Sequence, residues 1–214
     1  MQAVLLVGIA GGSGSGKTTL SNGVVAAMPS GQAVVIPHDA YYRDLGHLLV
    51  EERAGCNFDE PAALDNERLV EDLAKLRAGV AIARPNYDFV THTRLPETTC
   101  VVARPLVIVE GILVLAIPAL REMLDLKVFV EASETTRLAR RTERDMAERG
   151  RTRQGAEAQY FRVTRPMHDK YVEPSRHHAD VVVSGEGGAV QAVARVVETV
   201  TEALTGLPKP GIRT

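Results

Sequence analysis

Residues 9–19 read IAGGSGSGKTT, and the spacing of glycine, lysine and threonine in this stretch predicts the fold. Four of its residues have the spacing of a phosphate-binding loop: Gly11, Gly16, Lys17 and Thr18. The apolar run 3–10 precedes them and the helix-like sequence TTLSNGVVAAM follows, which is the order of strand, glycine loop and helix that such a loop requires. A flexible Gly/Ser turn is the alternative, and the flanking sequence disfavours it. We therefore predict nucleotide binding at this loop.

The loop residues have separate expected roles. Glycines let the backbone N–H groups converge on a phosphate, and the positive end of the following helix adds to their field. Lys17 should contact the β- and γ-phosphates, and Thr18 can offer its hydroxyl to Mg²⁺. The residues predicted to bind the nucleotide phosphates are Gly11, Gly12, Ser13, Gly14, Ser15, Gly16, Lys17, Thr18 and Thr19.

The remaining apolar runs predict a parallel sheet with helices on both faces. They are AVVIP (33–37), LVIVEGILVL (106–115), LKVFV (126–130) and ADVVV (179–183). These runs are almost continuously apolar rather than alternating, which is typical of strands covered on both sides. A helix is predicted between Pro61 and Gly79, whereas the segment from about 80 to 104 predicts a β-hairpin insertion on the substrate side. The fold class is therefore α/β.

Composition and charge exclude several classes of protein. The formal net charge is −2, so no overall positive field would hold nucleic acid or an anionic membrane. No apolar run reaches the roughly 18 residues of a transmembrane helix. The two cysteines form no CxxC pair, and no histidine has metal-ligand spacing to them, so Mg²⁺ is the only metal expected. We expect a cytoplasmic protein.

Two carboxylates follow predicted strands. Asp39 comes after 33–37 and Glu110 ends VIVEG, so both should face the crevice beyond the carboxyl ends of the sheet. Asp39 is a candidate general base for an attacking hydroxyl, although an isolated Asp here would more often form an Asx turn or cap. Glu110 is a candidate metal-site carboxylate, with a helix cap as the alternative.

Three further residues are candidates for substrate contacts. Asp59 lies in NFDEPAALD, where an N-cap before Pro61 is the alternative to ligand binding. Tyr87 and His92 lie in PNYDFVTHTR, on the predicted hairpin, and could contact the edge of a flat base. Packing alone would also explain them.

Arginines are concentrated between residues 137 and 153, where seven of them accompany three acidic residues. Helical spacing places Arg137, Arg141 and Arg144 on one face, with Ser133 as a plausible N-cap and Gly150 at the helix end. A solvated face or a nucleic-acid patch would also carry such charge. Phosphoryl transfer needs cations that close over the phosphates and exclude water, so we predict a mobile arginine lid over about 140–165.

Seven segments follow one another along the chain: GIAGGSGSGKTT, HDAYYRD, NFDEPAALDNE, YDFVTHTR, VIVEGILVL, RTERDMAERGR and QYFRVTRPMHDKYVEPSRHHAD. Together, and in this order, they strongly resemble the uridine kinase (uridine–cytidine kinase) family of P-loop nucleoside kinases. The resemblance covers nearly residues 4 to 184. It implies a P-loop NTPase-type sheet and transfer of the γ-phosphate of ATP or GTP to the 5′-hydroxyl of uridine or cytidine, giving UMP or CMP in pyrimidine salvage. It also implies a homo-oligomer, commonly a tetramer.

The resemblance assigns roles residue by residue. Asp39 resembles the general base, Asp59 the carboxylate that holds the ribose hydroxyls, and Glu110 the acidic residue near Mg²⁺. Residues similar to those contacting the nucleoside are Tyr87, His92, Arg141, Arg151 and Gln159. Arg144 and Arg149 resemble lid arginines that face the phosphates, so Arg144 joins Asp39 and Lys17 as a catalytic candidate. The sequence departs from the family at Ala40, which follows the candidate base where the family often has Ser or another polar residue. It also departs at 184–188, where the usual arginine- and asparagine-bearing loop is missing, and this puts contacts with the donor base in doubt.

We therefore expect a single P-loop kinase domain over residues 1–207, followed by a flexible tail, 208–214. Two alternatives remain. One is a kinase with another acceptor, as in the related phosphoribulokinases, and the YDF-x-x-H segment argues against it. The other is an NTP-dependent switch without a small acceptor, although the Asn-Lys dipeptide of a guanine-binding NKxD element is absent.

Overall fold

The structure is a computed structural model that describes residues 4–53, 55–148 and 150–206. Seven strands lie within these residues: β1 (Leu5–Gly11), β2 (Ala33–Pro37), β3 (Ile82–Asp88), β4 (Thr93–Val101), β5 (Leu106–Glu110), β6 (Leu126–Glu131) and β7 (Val181–Ser184). Five of them form one parallel sheet in the order β2–β5–β1–β6–β7. The strand that leads into the glycine loop, β1, is therefore at the centre.

The helices lie mostly between the strands. They are α1 (Lys17–Ala27), α2 (Val50–Arg53), α3 (Asn66–Arg77), α4 (Pro118–Glu122), α5 (Glu134–Glu148), α6 (Arg153–Gln159), α7 (Arg165–Met167), α8 (Glu173–Ser175) and α9 (Ala189–Gly206). Two π-helical turns, Tyr160–Thr164 and His168–Val172, join α6, α7 and α8 into one rod. Within the described residues, no helix is both long and apolar enough to cross a membrane.

Apolar side chains cover both faces of the sheet. On one face, Leu20 of α1 and Val196 of α9 pack with alternate residues of the central strands. On the other, Leu73 of α3 and Leu120 of α4 pack with the intervening residues. Every residue of β1 is buried, which explains its unbroken apolar sequence. The predicted α/β fold, with a parallel sheet flanked by helices, is confirmed.

The register of the sheet brings three functional segments to one edge. Glu110 at the end of β5 pairs with Ile9 of β1 and with Pro37 of β2. The glycine loop after β1 and Asp39 after β2 therefore begin beside Glu110.

One predicted strand was too long. The apolar run 106–115 forms a strand only to Glu110, because the chain turns at Gly111, where an added Cβ would overlap His38. Residues 113–115 are nevertheless fully buried, and the Ala116 N–H donates to the Leu113 carbonyl oxygen at 2.9 Å. A buried turn and a buried strand give the same apolar sequence, so periodicity did not separate them.

The strands β3 and β4 form a separate antiparallel hairpin. Its register shifts between Pro85 and Tyr87, which is where proline cannot donate a ladder hydrogen bond. At the turn, His92 has φ of 55°, an unusual backbone conformation for a residue other than glycine.

Candidate active site

The glycine loop is built around the Lys17 side chain. Lys17 is buried, and its Nζ donates to the Gly12 carbonyl oxygen at 2.9 Å. Burial lowers the pKa of Lys17, while Glu110 and Asp39 act in the opposite direction. Gly14 has φ of +81°, and a Cβ there would meet the Arg137 carbonyl oxygen at 2.5 Å, so the loop and helix α5 approach at backbone distance.

An oxygen-rich corner lies beside Lys17. The Thr18 hydroxyl donates to Glu110 Oε1 at 3.3 Å. Burial raises the pKa of Glu110, and Lys17 opposes that change. Within the described part of the chain, no three His, Cys, Asp or Glu side chains converge on a metal position. A hydroxyl and one or two carboxylates, completed by phosphate oxygens and water, are the donor set that suits Mg²⁺.

Helix α5 brings its arginines onto the glycine loop. Arg141 Nη1 and Arg144 Nη2 both donate to Ser13 Oγ, at 2.9 Å and 3.1 Å. Arg140 Nη1 donates to the Gly185 carbonyl oxygen at 2.9 Å and so spans from α5 to the 184–188 loop. Ser133 caps the helix as predicted, accepting from the Thr136 N–H at 3.3 Å.

Asp145 holds these arginines together. It is fully buried on α5, and its carboxylate lies 3.1 Å from Arg151 Nη1, 3.7 Å from Arg141 Nε and 3.9 Å from Arg144 Nε. Sequence reasoning counted Asp145 only as local negative charge. Its i, i+4 spacing from Arg141 was a usable signal, but the contact with Arg151 required the fold beyond the helix.

Aromatic side chains from the hairpin and from the segment before α3 form the other end of the cavity. The His92 ring stacks on Phe58 with centroids 4.5 Å apart, and Tyr87 lies 5.3 Å from both Tyr42 and Phe89. Burial raises the pKa of Tyr87, so its phenol stays protonated. Sequence reasoning missed Phe58, Tyr42 and Phe89, although all three lie in the quoted motifs.

Two buried polar atoms in this region lack a hydrogen bond from any residue that the structure describes. They are the Tyr87 hydroxyl and Gln159 Oε1, and both residues line the cavity. Buried polar groups are normally satisfied, so these two side chains are candidates for hydrogen bonds with a polar ligand.

Asp59 lies between the arginines and the aromatic residues. It is buried, accepts a hydrogen bond from the Thr164 hydroxyl at 2.7 Å and lies 3.8 Å from Arg141 Nη2. It does not cap the turn that follows, Pro61–Ala63, because the cap residue there is Glu60.

The structure brings most of the predicted site residues to one cavity. The cavity is lined by Ser13, Lys17, Thr18, Asp39, Asp59, Tyr87, His92, Glu110, Arg141, Arg144, Arg151 and Gln159, among others. An adjoining pocket includes Gly14, Gly16 and Thr19 together with Arg140 and the loop at Gly185. Gly12 faces a separate cleft beside Arg137 and His168. Gly11 and Ser15 are buried, and a Cβ on Gly11 would lie 2.8 Å from Ser15 Oγ. Arg149 lies outside the described residues.

Comparison with known proteins gives one consistent family. The model of the Phosphoribulokinase / Uridine kinase family matches residues 6–190. A protein named uridine kinase from Chloroflexus aurantiacus is 42% identical over 204 residues, covering 95% of this chain and 98% of that protein. One of the same name from Staphylococcus carnosus is 39% identical over the same shares.

A solved structure has the same fold. It is described as a possible uridine kinase from Bacillus stearothermophilus, with a TM-score of 0.60, 21% identity, and coverage of 85% of this chain and 89% of that one. The match of the family model to most of the chain, together with relatives of about 40% identity over nearly its whole length, shows that the chain belongs to the phosphoribulokinase / uridine kinase family.

Proposed function

We propose that this chain is a uridine kinase, which transfers the γ-phosphate of ATP or GTP to the 5′-hydroxyl of uridine or cytidine and forms UMP or CMP in pyrimidine salvage. The observation that carries the proposal is the single cavity in which a glycine loop, a carboxylate and lid arginines meet an aromatic pocket with unsatisfied polar atoms. The names of the relatives agree with this activity and not with a sugar-phosphate acceptor.

The phosphoryl-transfer end uses positioning and charge. Asp39 orients the acceptor hydroxyl and accepts its proton, while Lys17 and Arg144 stabilise negative charge on the transferring phosphoryl group. Thr18 and Glu110 would hold Mg²⁺, which supplies charge neutralisation on the donor phosphates. Arg141 and Arg144 both donate to the Ser13 hydroxyl, so both guanidinium groups lie beside the loop that would hold the donor phosphates.

The acceptor end recognises a nucleoside. A pyrimidine ring would pack among Phe58, Tyr42 and His92, and Tyr87 and Gln159 would supply hydrogen bonds to its polar edge. Asp59 would accept from the ribose hydroxyls. A flat base with a polar edge would form hydrogen bonds with both unsatisfied atoms and would pack on the aromatic rings. An acyclic sugar phosphate has no flat ring that could pack there.

The positions of the hairpin and of the arginines also support two predicted features, a substrate-side hairpin insertion and a mobile arginine lid. The hairpin formed by β3 and β4 carries Tyr87 and His92, helix α5 carries Arg141 and Arg144, and Arg151 lies between α5 and α6. We infer that about 140–165 closes when both substrates are bound. Closure would exclude water and limit wasteful hydrolysis of the donor. The family resemblance further suggests a homo-oligomer, which size-exclusion chromatography with light scattering would measure.

The test is product formation from a panel of nucleosides and sugar phosphates with ATP and with GTP. Uridine or cytidine should be phosphorylated in preference to ribulose 5-phosphate. In the variant Asp39→Asn, kcat should fall by roughly 10²- to 10⁴-fold while the affinity for the donor changes little, because only the transition-state role is lost. Turnover of a sugar phosphate alone, or donor hydrolysis indifferent to nucleosides, contradicts the proposal.

A further inference from the structure

We propose that Thr164 is a positioning residue that holds the carboxylate of Asp59 in the orientation needed to bind the ribose hydroxyls, an inference that rests on the proposed function. The two residues are 105 positions apart, and the Thr164 hydroxyl donates to Asp59 Oδ2 at 2.7 Å. Thr164 is 4% exposed and Asp59 is 6% exposed, so water does not replace this bond readily. A charge-assisted hydrogen bond of this length is among the stronger ones in proteins.

The bond uses one oxygen of the carboxylate and leaves the other for a ligand. Arg141 Nη2 also approaches Oδ2, at 3.8 Å, whereas no described residue donates a hydrogen bond to Oδ1. The terminal torsion of aspartate is broad, so a carboxylate without such a partner would sample several orientations. Thr164 therefore restricts the orientations of the Asp59 carboxylate. Because of this restriction, Asp59 loses less conformational entropy when a nucleoside binds.

The backbone around Thr164 places its side chain at this position. Thr164 ends the π-helical turn Tyr160–Thr164, which directly follows Gln159. A π-helical turn holds more residues than an α-helical turn, so Gln159, Val163 and Thr164 share one side of the rod. Gln159 and Val163 line the cavity, and Thr164 reaches Asp59 at its wall. The turn thus joins the carboxyl end of the predicted lid segment to the acceptor site.

Two substitutions separate this role from simple packing. Thr164→Val keeps the branched shape but removes the hydroxyl, and Thr164→Ser keeps the hydroxyl but removes the methyl group. We expect Thr164→Val to raise the KM and the Kd for uridine by roughly tenfold, since a hydrogen bond to a charged group is lost. Thr164→Ser should stay within about threefold of the parent, and the KM for the donor should change little in both variants.

A control is Ser175→Ala on helix α8. Ser175 is also buried, and its hydroxyl donates to the Val172 carbonyl oxygen at 2.7 Å rather than to a residue of the cavity, so its loss should leave the uridine KM unchanged. A substrate comparison adds specificity: the parent should bind uridine more tightly than 2′-deoxyuridine, and Thr164→Val should reduce that preference. Calorimetry and steady-state kinetics on the full chain measure both.

The outcomes distinguish this proposal from the proposed function. If the parent phosphorylates uridine but the Val and Ser variants lose equal affinity, or Ser loses more, Thr164 acts by packing and the inference is overturned. If the parent phosphorylates no nucleoside, the proposed function fails, and crystal structures of the two variants decide the positioning role. Asp59 should keep its orientation in Thr164→Ser and rotate in Thr164→Val, and an unchanged Asp59 in both would overturn the inference.

Discussion

At the scale of single residues, Asp145 contacts several arginines of the site at once. Its side chain is fully buried and lies within 3.1–3.9 Å of guanidinium nitrogens of Arg141, Arg144 and Arg151. One carboxylate therefore compensates for charges that would otherwise repel each other inside the lid.

We expect Asp145→Asn to lower the free energy of unfolding by about 3 kcal/mol, because removal of the buried carboxylate leaves the buried Arg141 and the half-buried Arg144 and Arg151 without this counter-charge. Urea denaturation measures this change. The control is Glu143→Gln, which removes a carboxylate from an exposed position of the same helix and should change stability by less than about 0.5 kcal/mol. Equal effects in the two variants would show that Asp145 does not organise the arginines.

At the scale of elements, the loop 184–188 meets the glycine loop at backbone distance. A Cβ at Gly185 would overlap the carbonyl oxygen of Ser15, and the Gly185 N–H already donates to the Glu131 carbonyl oxygen at 2.8 Å. The end of β7 and the phosphate loop are therefore packed too closely for a side chain to enter.

We expect Gly185→Ala to raise the KM for the nucleotide donor by roughly tenfold, because relieving the overlap with Ser15 must shift one of the two loops. The KM for uridine should change much less. The neighbouring variant Gly188→Ala is the control, since its Cβ would meet only the flexible end of Gln191. Steady-state kinetics with both substrates provide the comparison, and an unchanged donor KM in Gly185→Ala would contradict the expectation.

Elements were predictable where one local rule dominated. The runs 33–37 and 126–130 became strands with bounds within one residue, because continuous apolar sequence of strand length has few other uses. The helix expected after Pro61 instead begins at Asn66, since Pro61–Ala63 forms a separate 3₁₀ turn and Asp65 caps α3. The π-helical turns had no sequence signal that periodicity could detect.

At the scale of the whole molecule, two buried histidines couple folding to pH. Burial lowers the pKa of His38, which faces Asn66 and Asp39, and also the pKa of His168, where Arg137 lowers it further against the opposing effect of Glu173 and Asp169. The folded chain therefore favours the neutral form of both histidines more than the unfolded chain does, where they take up protons near the ordinary pKa of 6.5.

The stability that these histidines contribute should be fully present above pH 6.5 and be lost as the pH falls below it, toward their lowered pKa values. The unfolded chain binds more protons in that window, so each histidine can lower the free energy of unfolding by up to about 1.4 kcal/mol per pH unit. Thermal and urea unfolding between pH 7.5 and about 5 should show a shallower pH slope for His168→Asn than for the parent. The exposed His47→Asn variant should keep the parent slope, and identical slopes in all three proteins would exclude this coupling.

Sequence alone determined the phosphate loop, the central strand before it and the family, because these depend on local spacing and on short apolar runs that have one common structural solution. Only the tertiary structure decided which of the candidate side chains meet. The bond from Thr164 to Asp59, the three arginines around Asp145 and the stacking of Phe58 on His92 join segments that no periodicity links. Such contacts depend on how strands and helices pack in space, and this packing cannot be read from the spacing of residues along the chain.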